Sequence, residues 1–286
     1  MSLQLVADAY GDSRNAKYLA TASSLAYLDA TQGPPAFKER LGLEAELISE
    51  SNTQVYVGHN DEHIVVAFRG SESPTSIDGL KDWLVTNAFN YLVAPVGDSG
   101  TDFSDCGVGA RLHKGFADAL QTVWPKLHEK ASAIYEGERY VWVTGHSLGG
   151  ALALLGGYRL DRNFVGVHQV YTFGAPMVGN KMLAESIQSA MDNKIYRYVD
   201  DRDFVPKLPT MSLISNEYQH CLKEVVLSPG GTVTSALQSL QTLGQGVVDG
   251  VLTADLHDKV WNKCQEMLEA HLLPNYLSMI EKHEKG

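Results

Sequence analysis

The stretch Tyr140-Val-Trp-Val-Thr-Gly145-His146-Ser147-Leu148-Gly149-Gly150 decides the fold. Its first part, Tyr140 to Thr144, is a short apolar run rich in β-formers. From Leu148 to Leu160 the chain turns to Ala and Leu, which favour helix. Between the two lies the pattern Gly-x-Ser-x-Gly, spelled by Gly145, His146, Ser147, Leu148 and Gly149. A serine on a sharp strand-to-helix turn has a strained backbone and carries its hydroxyl above the sheet edge. Side chains two positions before and after it would collide, so Gly145 and Gly149 fit that turn. The same turn aims the Leu148 N–H, at the helix start, toward a developing oxyanion. Ser147 is therefore the expected nucleophile.

Working outward, strands and helices alternate. Residues 14–30 read as a helix, and Val55 to Val57 and Ile64 to Phe68 read as two β-rich runs. His59, Asn60, Asp61 and Glu62 form the polar turn between those runs. Phe116 to Tyr135 reads as a long helix despite Pro125, Val165 to Phe173 as a strand, Lys181 to Met191 as a helix and Ile195 to Val199 as a strand. After Pro209 the pattern is mostly helical, apart from a strand-like Glu224 to Leu227. Such alternation predicts an α/β fold with a mostly parallel central sheet flanked by helices. No repeat, low-complexity tract or long polar linker divides the chain, so residues 1–286 are expected to form a single domain.

Composition narrows the chemistry. The chain has 286 residues, 44% hydrophobic and 20% charged, enough for one large core. Its formal net charge of −11 disfavours nucleic acid, whose phosphates need a basic face, and simple docking to anionic membranes. No run of 18 apolar residues occurs, so no transmembrane segment is expected. The first thirty residues lack the charged start, apolar stretch and small-residue site of a signal peptide. Cys106, Cys221 and Cys264 are too few for a disulfide framework and are expected to be free thiols, with one bridge plus one thiol as the alternative. That leans weakly away from an oxidising compartment, and the choice between cytoplasmic and secreted stays open.

An activated serine needs a base, and the base needs a group that orients it. Acid candidates sit at the exit of a strand-like run, in Tyr198-Val-Asp200-Asp201-Arg202-Asp203-Phe204-Val205-Pro206. Position alone does not separate Asp200, Asp201 and Asp203. Four histidines follow: His220, His257, His271 and His283. His283 lies in a charged tail, and His257 lies inside a helical-looking run from Asp255 to Glu269. His271 follows that run and precedes Pro274, which can open the next helix. A loop between two helices suits a catalytic imidazole, so His271 leads, with His257 and His220 behind it.

The chain resembles the class 3 lipase family, α/β-hydrolases that cleave acyl esters. The matching segments are Val65-Val-Ala-Phe68-Arg69-Gly70-Ser71, His113-Lys-Gly115-Phe116, Gly145-His-Ser-Leu-Gly149, Phe173-Gly-Ala-Pro-Met-Val-Gly179-Asn180, Asp203-Phe-Val-Pro206-Lys-Leu-Pro209 and His271-Leu-Leu-Pro-Asn-Tyr276. They follow the family's order and span most of the chain. The resemblance selects Asp203 as the acid and His271 as the base. It implies backbone oxyanion donors at Ser71 and Leu148. It gives His146 the family's usual place in the elbow, without the role of base, and has His113 support the oxyanion loop or the helix start. It also implies a lid helix over about 72–86, where Ile77, Leu80, Trp83 and Leu84 share one helical face. Ile77, Leu80 and Trp83 are its expected lipid-facing residues. The stretch 231–253, with Leu237, Leu240, Leu243 and Val247 on one stripe, is expected to be a cap helix over the acyl pocket or a helix packed on the core.

Two other patterns carry little. Gly11-Asp12-Ser13 resembles the start of a different hydrolase block, but no Asp-x-x-His completes it. His59-Asn-Asp-Glu62-His63 spells a zinc-protease motif that needs a helix and sits instead in a hairpin turn. No metal and no cofactor are expected. The expected activity is hydrolysis of acylglycerols or other lipid esters through an acyl-enzyme, at a transient lipid–water interface. Rival readings are a phospholipase A1, an esterase for soluble esters including feruloyl esters, and a non-catalytic hydrolase-fold protein that binds a lipid or partner.

Overall fold

Along the central strands Tyr56, Val65, Ala67, Trp142 and Tyr171 alternate with Val55, Val57, Ile64, Val66, Val141, Val143 and Val170. Successive side chains of a strand point to opposite faces, so the two sets enter two apolar layers separated by one sheet. A computed structural model describes residues 3–71, 92–93, 101–207, 218–221, 223–227 and 269–284. In chain order its elements are α1 (Ser13–Leu25), α2 (Gly33–Leu41), β1 (Glu44–Glu50), β2 (Thr53–His59), β3 (His63–Phe68), β4 (Leu92–Val93) and β5 (Leu112–His113). Then come α3 (Lys114–Ile134), β6 (Tyr140–His146), α4 (Leu148–Arg162), β7 (Val167–Phe173), α5 (Lys181–Ala190), β8 (Ile195–Val199), β9 (Glu224–Val226) and α6 (Leu273–His283).

Among the described residues the main sheet runs β1-β2-β3-β6-β7-β8-β9. The pairs β1–β2 and β2–β3 are antiparallel, and every pair from β3 to β9 is parallel. Parallel neighbours need a crossover, and α3, α4 and α5 supply those from β3 to β8 on one face. There Phe116, Leu120, Leu152, Leu155, Leu183 and Ile187 fill the first apolar layer. On the other face α1, α2 and α6 bring Leu19, Phe37, Leu273, Tyr276 and Ile280 into the second. The mostly parallel sheet flanked by helices is the architecture expected from the sequence.

Among the elements that the sequence pattern does not announce are a second helix and the first strand. Helix α2 begins at Gly33-Pro34-Pro35, where prolines cost nothing because first-turn N–H groups have no helical partner. Strand β1 is a charged edge strand whose Glu46 and Glu50 pair with Lys130 and Lys126 across to α3. Its polar alternation gives no apolar signal. Helix α1 stops at Leu25, short of the expected residue 30. Past it, Asp29 Oδ1 accepts from the N–H groups of Thr31 and Gln32, a local turn that competes with helix. Pro125 lies within α3 without ending it. The expected lid at 72–86 and cap region at 231–253 lie outside the described residues.

Candidate active site

The elbow is set by steric contact. Ser147 sits between β6 and α4 with φ 58° and ψ −130°. That left-handed backbone is strained for a residue with a side chain, at a cost of about 1–3 kcal/mol. Its N–H donates to the Phe173 carbonyl at 3.0 Å, and its own carbonyl accepts from Gly150 at 2.9 Å. A Cβ on Gly145 would lie 2.1 Å from the Gly149 carbonyl oxygen, and one on Gly149 would lie 2.3 Å from that of Phe68. Both distances are far inside contact, so any side chain there would push the turn apart. Leu148 is the first residue of α4, where backbone N–H groups lack helical acceptors. Ser71 follows Gly70, whose Cα packs against the His146 carbonyl: a Cβ there would be 2.8 Å from that oxygen. The two expected oxyanion donors thus stand on adjacent segments beside the elbow.

Asp203 and His271 are 68 positions apart in sequence and meet in the core. His271 Nδ1 lies 2.7 Å from Asp203 Oδ2. Asp203 is fully buried and His271 is 2% exposed. Since an ionised carboxylate only accepts, Nδ1 carries the proton and Nε2 is left as the acceptor. The other carboxylate oxygen, Oδ1, accepts the Val205 N–H at 2.9 Å. Tyr276 adds a third donor, its hydroxyl 2.7 Å from Oδ2. Gly174, at φ 59°, makes room for the pair: a Cβ there would come within 2.9 Å of Asp203 Oδ2 and 3.0 Å of the His271 ring.

One atom of the dyad lacks a partner. His271 Nε2 is buried and makes no hydrogen bond, to Ser147 or to any other described residue. A buried polar atom left open is costly in a folded chain, and a hydroxyl that donates to Nε2 would satisfy it. Nucleophile–base hydrogen bonds are often long before substrate arrives.

The remaining sequence candidates go elsewhere. Asp200 is buried and paired with Arg202, whose Nη2 lies 2.6 Å from Oδ2. Asp201 is partly exposed. His220 Nε2 bonds the Pro206 carbonyl at 2.5 Å, and His283 is exposed. His257 lies outside the described residues, as do Ile77, Leu80, Trp83 and Cys264. His113 caps α3, accepting the Phe116 N–H at 3.3 Å, with its ring stacked 3.9 Å over Phe116. His59 and His63 flank the β2–β3 hairpin, and no metal-holding cluster of acidic, His or Cys side chains occurs among the described residues. Asp12 caps α1. Cys106 and Cys221 are buried free thiols.

Residue-by-residue reading missed two tyrosines. Tyr276 stands in the His271–Tyr276 segment, five positions beyond the expected base, but nothing local says that its hydroxyl reaches Asp203. Tyr27 precedes every motif, yet its hydroxyl lies 3.0 Å from His146 Nδ1.

Comparison with known proteins gives the family. The profile of the family Lipase (class 3) matches residues 65–213. The chain is 33% identical over 171 residues to a lipase of Rhizomucor miehei, covering 57% of this chain and 42% of that protein. It is 30% identical over 206 residues to a secreted mono- and diacylglycerol lipase of Malassezia globosa, covering 70% of this chain and 62% of the relative. These matches span about half the length of the curated relatives. The solved Rhizomucor miehei triacylglyceride lipase superposes with a TM-score of 0.56 at 24% identity, over 74% of this chain and 78% of that one, which shows the α/β-hydrolase fold. More than half of the chain matches the family profile, and the chain belongs to the class 3 lipase family.

Proposed function

We propose that this protein hydrolyses the carboxylic esters of acylglycerols through an acyl-enzyme on Ser147. The observation that carries the reading is the buried His271–Asp203 pair with Nε2 left open, beside a serine held in a strained elbow. In this reading the Ser147 oxygen attacks the ester carbonyl carbon while its proton passes to His271 Nε2. Asp203 keeps Nδ1 protonated and stabilises the imidazolium that forms. The carbonyl oxygen becomes an oxyanion and takes the backbone N–H groups of Leu148 and Ser71, each worth about 10²–10³ in rate. Collapse breaks the ester C–O bond, and the leaving alcohol takes the proton from Nε2. Water then enters, gives a proton to the same nitrogen and bonds through its oxygen to the acyl carbon; the acyl C–O bond to Ser147 breaks, the Ser147 oxygen takes the proton back from Nε2, and the fatty acid leaves. No metal or cofactor takes part in these steps.

Substrate chemistry follows the family and the names of its relatives, which are lipases of mono-, di- and triacylglycerols. The test is hydrolysis of p-nitrophenyl esters of graded chain length, alongside emulsified acylglycerol, for wild type and Ser147→Ala. Release of fatty acid from the emulsion that vanishes in Ser147→Ala supports the reading. Activity confined to short soluble esters replaces it with an esterase, and activity on phospholipid alone replaces it with a phospholipase. A folded protein that neither turns over any ester nor reacts with a fluorophosphonate probe overturns it.

A further inference from the structure

His146 adjoins the nucleophile, yet its ring is wholly turned inward. The residue is 3% exposed and both of its ring nitrogens have partners. Nε2 lies 2.8 Å from the backbone carbonyl of His271. A carbonyl only accepts, so Nε2 carries the hydrogen. In a neutral ring Nδ1 is then an acceptor, and the Tyr27 hydroxyl, 3.0 Å away, must donate to it. The Tyr27 oxygen in turn lies against the Gly70 backbone, close enough that a Cβ on Gly70 would fall 2.2 Å from it. The Gly70 N–H faces that oxygen, and the guanidinium of Arg69 lies 5.8 Å from the centre of the Tyr27 ring. One chain of polar contacts thus joins three segments distant in sequence: the loop before Ser71, the strand end before Ser147 and the helix end that carries His271.

We propose that His146 is a positioning residue, locked as the Nε2–H tautomer, that ties the backbone of the base to the oxyanion loop by way of Tyr27. This rests on the ester-hydrolase reading above. The three groups that must act together are Ser147, His271 and the Ser71 N–H; the β3–β6 ladder stops at Phe68 and Gly145, short of Ser71 and Ser147, and His271 stands at a helix end outside the sheet. A rate that depends on their spacing needs a rigid tie between them, since displacement of about 1 Å can cost roughly 10²-fold. The tie is directional. Tyr27 gives its hydrogen to His146, and His146 gives its own to the carbonyl of His271, so each member has one donor role that the next requires. Protonation of Nδ1 would remove the acceptor that the Tyr27 hydroxyl uses and reverse the direction of that bond. The surroundings oppose that state: burial and the neighbouring His271 hold His146 well below the usual imidazole range. The titratable or charged groups that face it are His271, with ring centres 4.7 Å apart, Tyr276 at 6.1 Å, Tyr27, and Arg69 beyond the Tyr27 ring.

The test combines kinetics with nitrogen-15 NMR of the imidazoles. On a soluble p-nitrophenyl ester, Tyr27→Phe keeps the ring and removes only the hydroxyl. It is expected to lower kcat by about tenfold, with KM held within about twofold. His146→Gln is expected to lower kcat by about as much or more. The double variant is expected to fall within about twofold of His146→Gln alone, because both changes break the same tie. In the wild-type spectrum His146 is expected to remain a single neutral Nε2–H tautomer from about pH 5 to about pH 8, and in Tyr27→Phe to lose that single state. Multiplying effects in the double variant, a loss confined to KM, or an unchanged kcat in Tyr27→Phe would each overturn the tie. So would a His146 ring that titrates in that range or carries its hydrogen on Nδ1. If wild type turns over no ester, the hydrolase reading fails. The NMR result still decides whether the tautomer lock exists.

Discussion

The Tyr276 hydroxyl donates to Oδ2 of Asp203 at 2.7 Å, the same oxygen that faces His271 Nδ1. One buried carboxylate oxygen therefore serves two donors, and its partner Oδ1 serves a third, the Val205 N–H. The same phenol oxygen accepts the Asp200 N–H at 3.2 Å, and so links helix α6 to both ends of the acid loop. Burial, with the Asp203 carboxylate beside it, holds the Tyr276 phenol well above its usual range, so it stays a donor.

Tyr276→Phe keeps the buried ring and removes that donor. It leaves the Asp200 N–H without this acceptor and Oδ2 with one hydrogen bond fewer. Stability should fall by about 1–3 kcal/mol, read by denaturant unfolding. Turnover should fall while labelling of Ser147 by a fluorophosphonate persists. A variant as stable as wild type would remove Tyr276 from the acid loop.

Asp200 and Asp203 stand three positions apart and should behave differently. Asp203→Asn replaces the oxygen that fixes the His271 tautomer, and kcat should drop by about 10⁴-fold. Asp200→Asn removes the charge that Arg202 grips from the solvent side, where the Arg202 side chain is 55% exposed. Its main effect should be on stability, about 1–3 kcal/mol, with activity within about tenfold of wild type. Steady-state kinetics of the two variants together settle which aspartate orients the base.

Gly149→Ala places a methyl 2.3 Å from the Phe68 carbonyl oxygen, across the gap where α4 leaves the sheet. Backbone cannot rotate out of the way as a side chain can. We expect a loss of about 2–3 kcal/mol in unfolding free energy, together with loss of probe labelling at Ser147. Stability and labelling at wild-type levels would show that the elbow tolerates a wider turn.

His63 gives the protein a sensitivity to acid. Its Nδ1 accepts the buried Trp142 indole N–H at 3.3 Å, which requires an unprotonated ring. Burial, opposed by the Glu62 carboxylate and reinforced by His168, pushes its pKa below 6.5. The unfolded chain then binds the proton first as the pH falls. The stability that the neutral ring provides is complete above about pH 6.5 and is lost progressively below it, at about 1.4 kcal/mol per unit of depression. The melting temperature should fall between about pH 6.5 and pH 5, and His63→Gln should flatten that slope. An equal slope in the variant would assign the acid loss to other groups, the buried His146 first among them.

Much of this molecule is written locally. The run from Tyr140 to Thr144, the Gly145–Gly149 pentapeptide and the Ala- and Leu-rich stretch after it specify strand, turn and helix by short-range sterics and propensity. The β-rich apolar runs in β2, β3 and β7 likewise predict strands, which the structure buries on both faces. What lacks a local signal is what lacks a local cause. Strand β1 is polar because it lies at the sheet edge, and α2 hides behind two prolines that its first turn tolerates. Residue spacing left three aspartates and several histidines open. Resemblance to the family singled out Asp203 and His271. Only the folded chain brings their atoms to 2.7 Å, because which carboxylate is aimed inward depends on where β8 ends and how α6 packs. Tyr27 and Tyr276 became part of the site for the same reason. A hydrogen bond acts over about 3 Å whatever the sequence separation. The sequence determined the sharp turn at Ser147 and the order of the sheet's builders, and the tertiary structure alone decided which distant polar atoms would meet behind it.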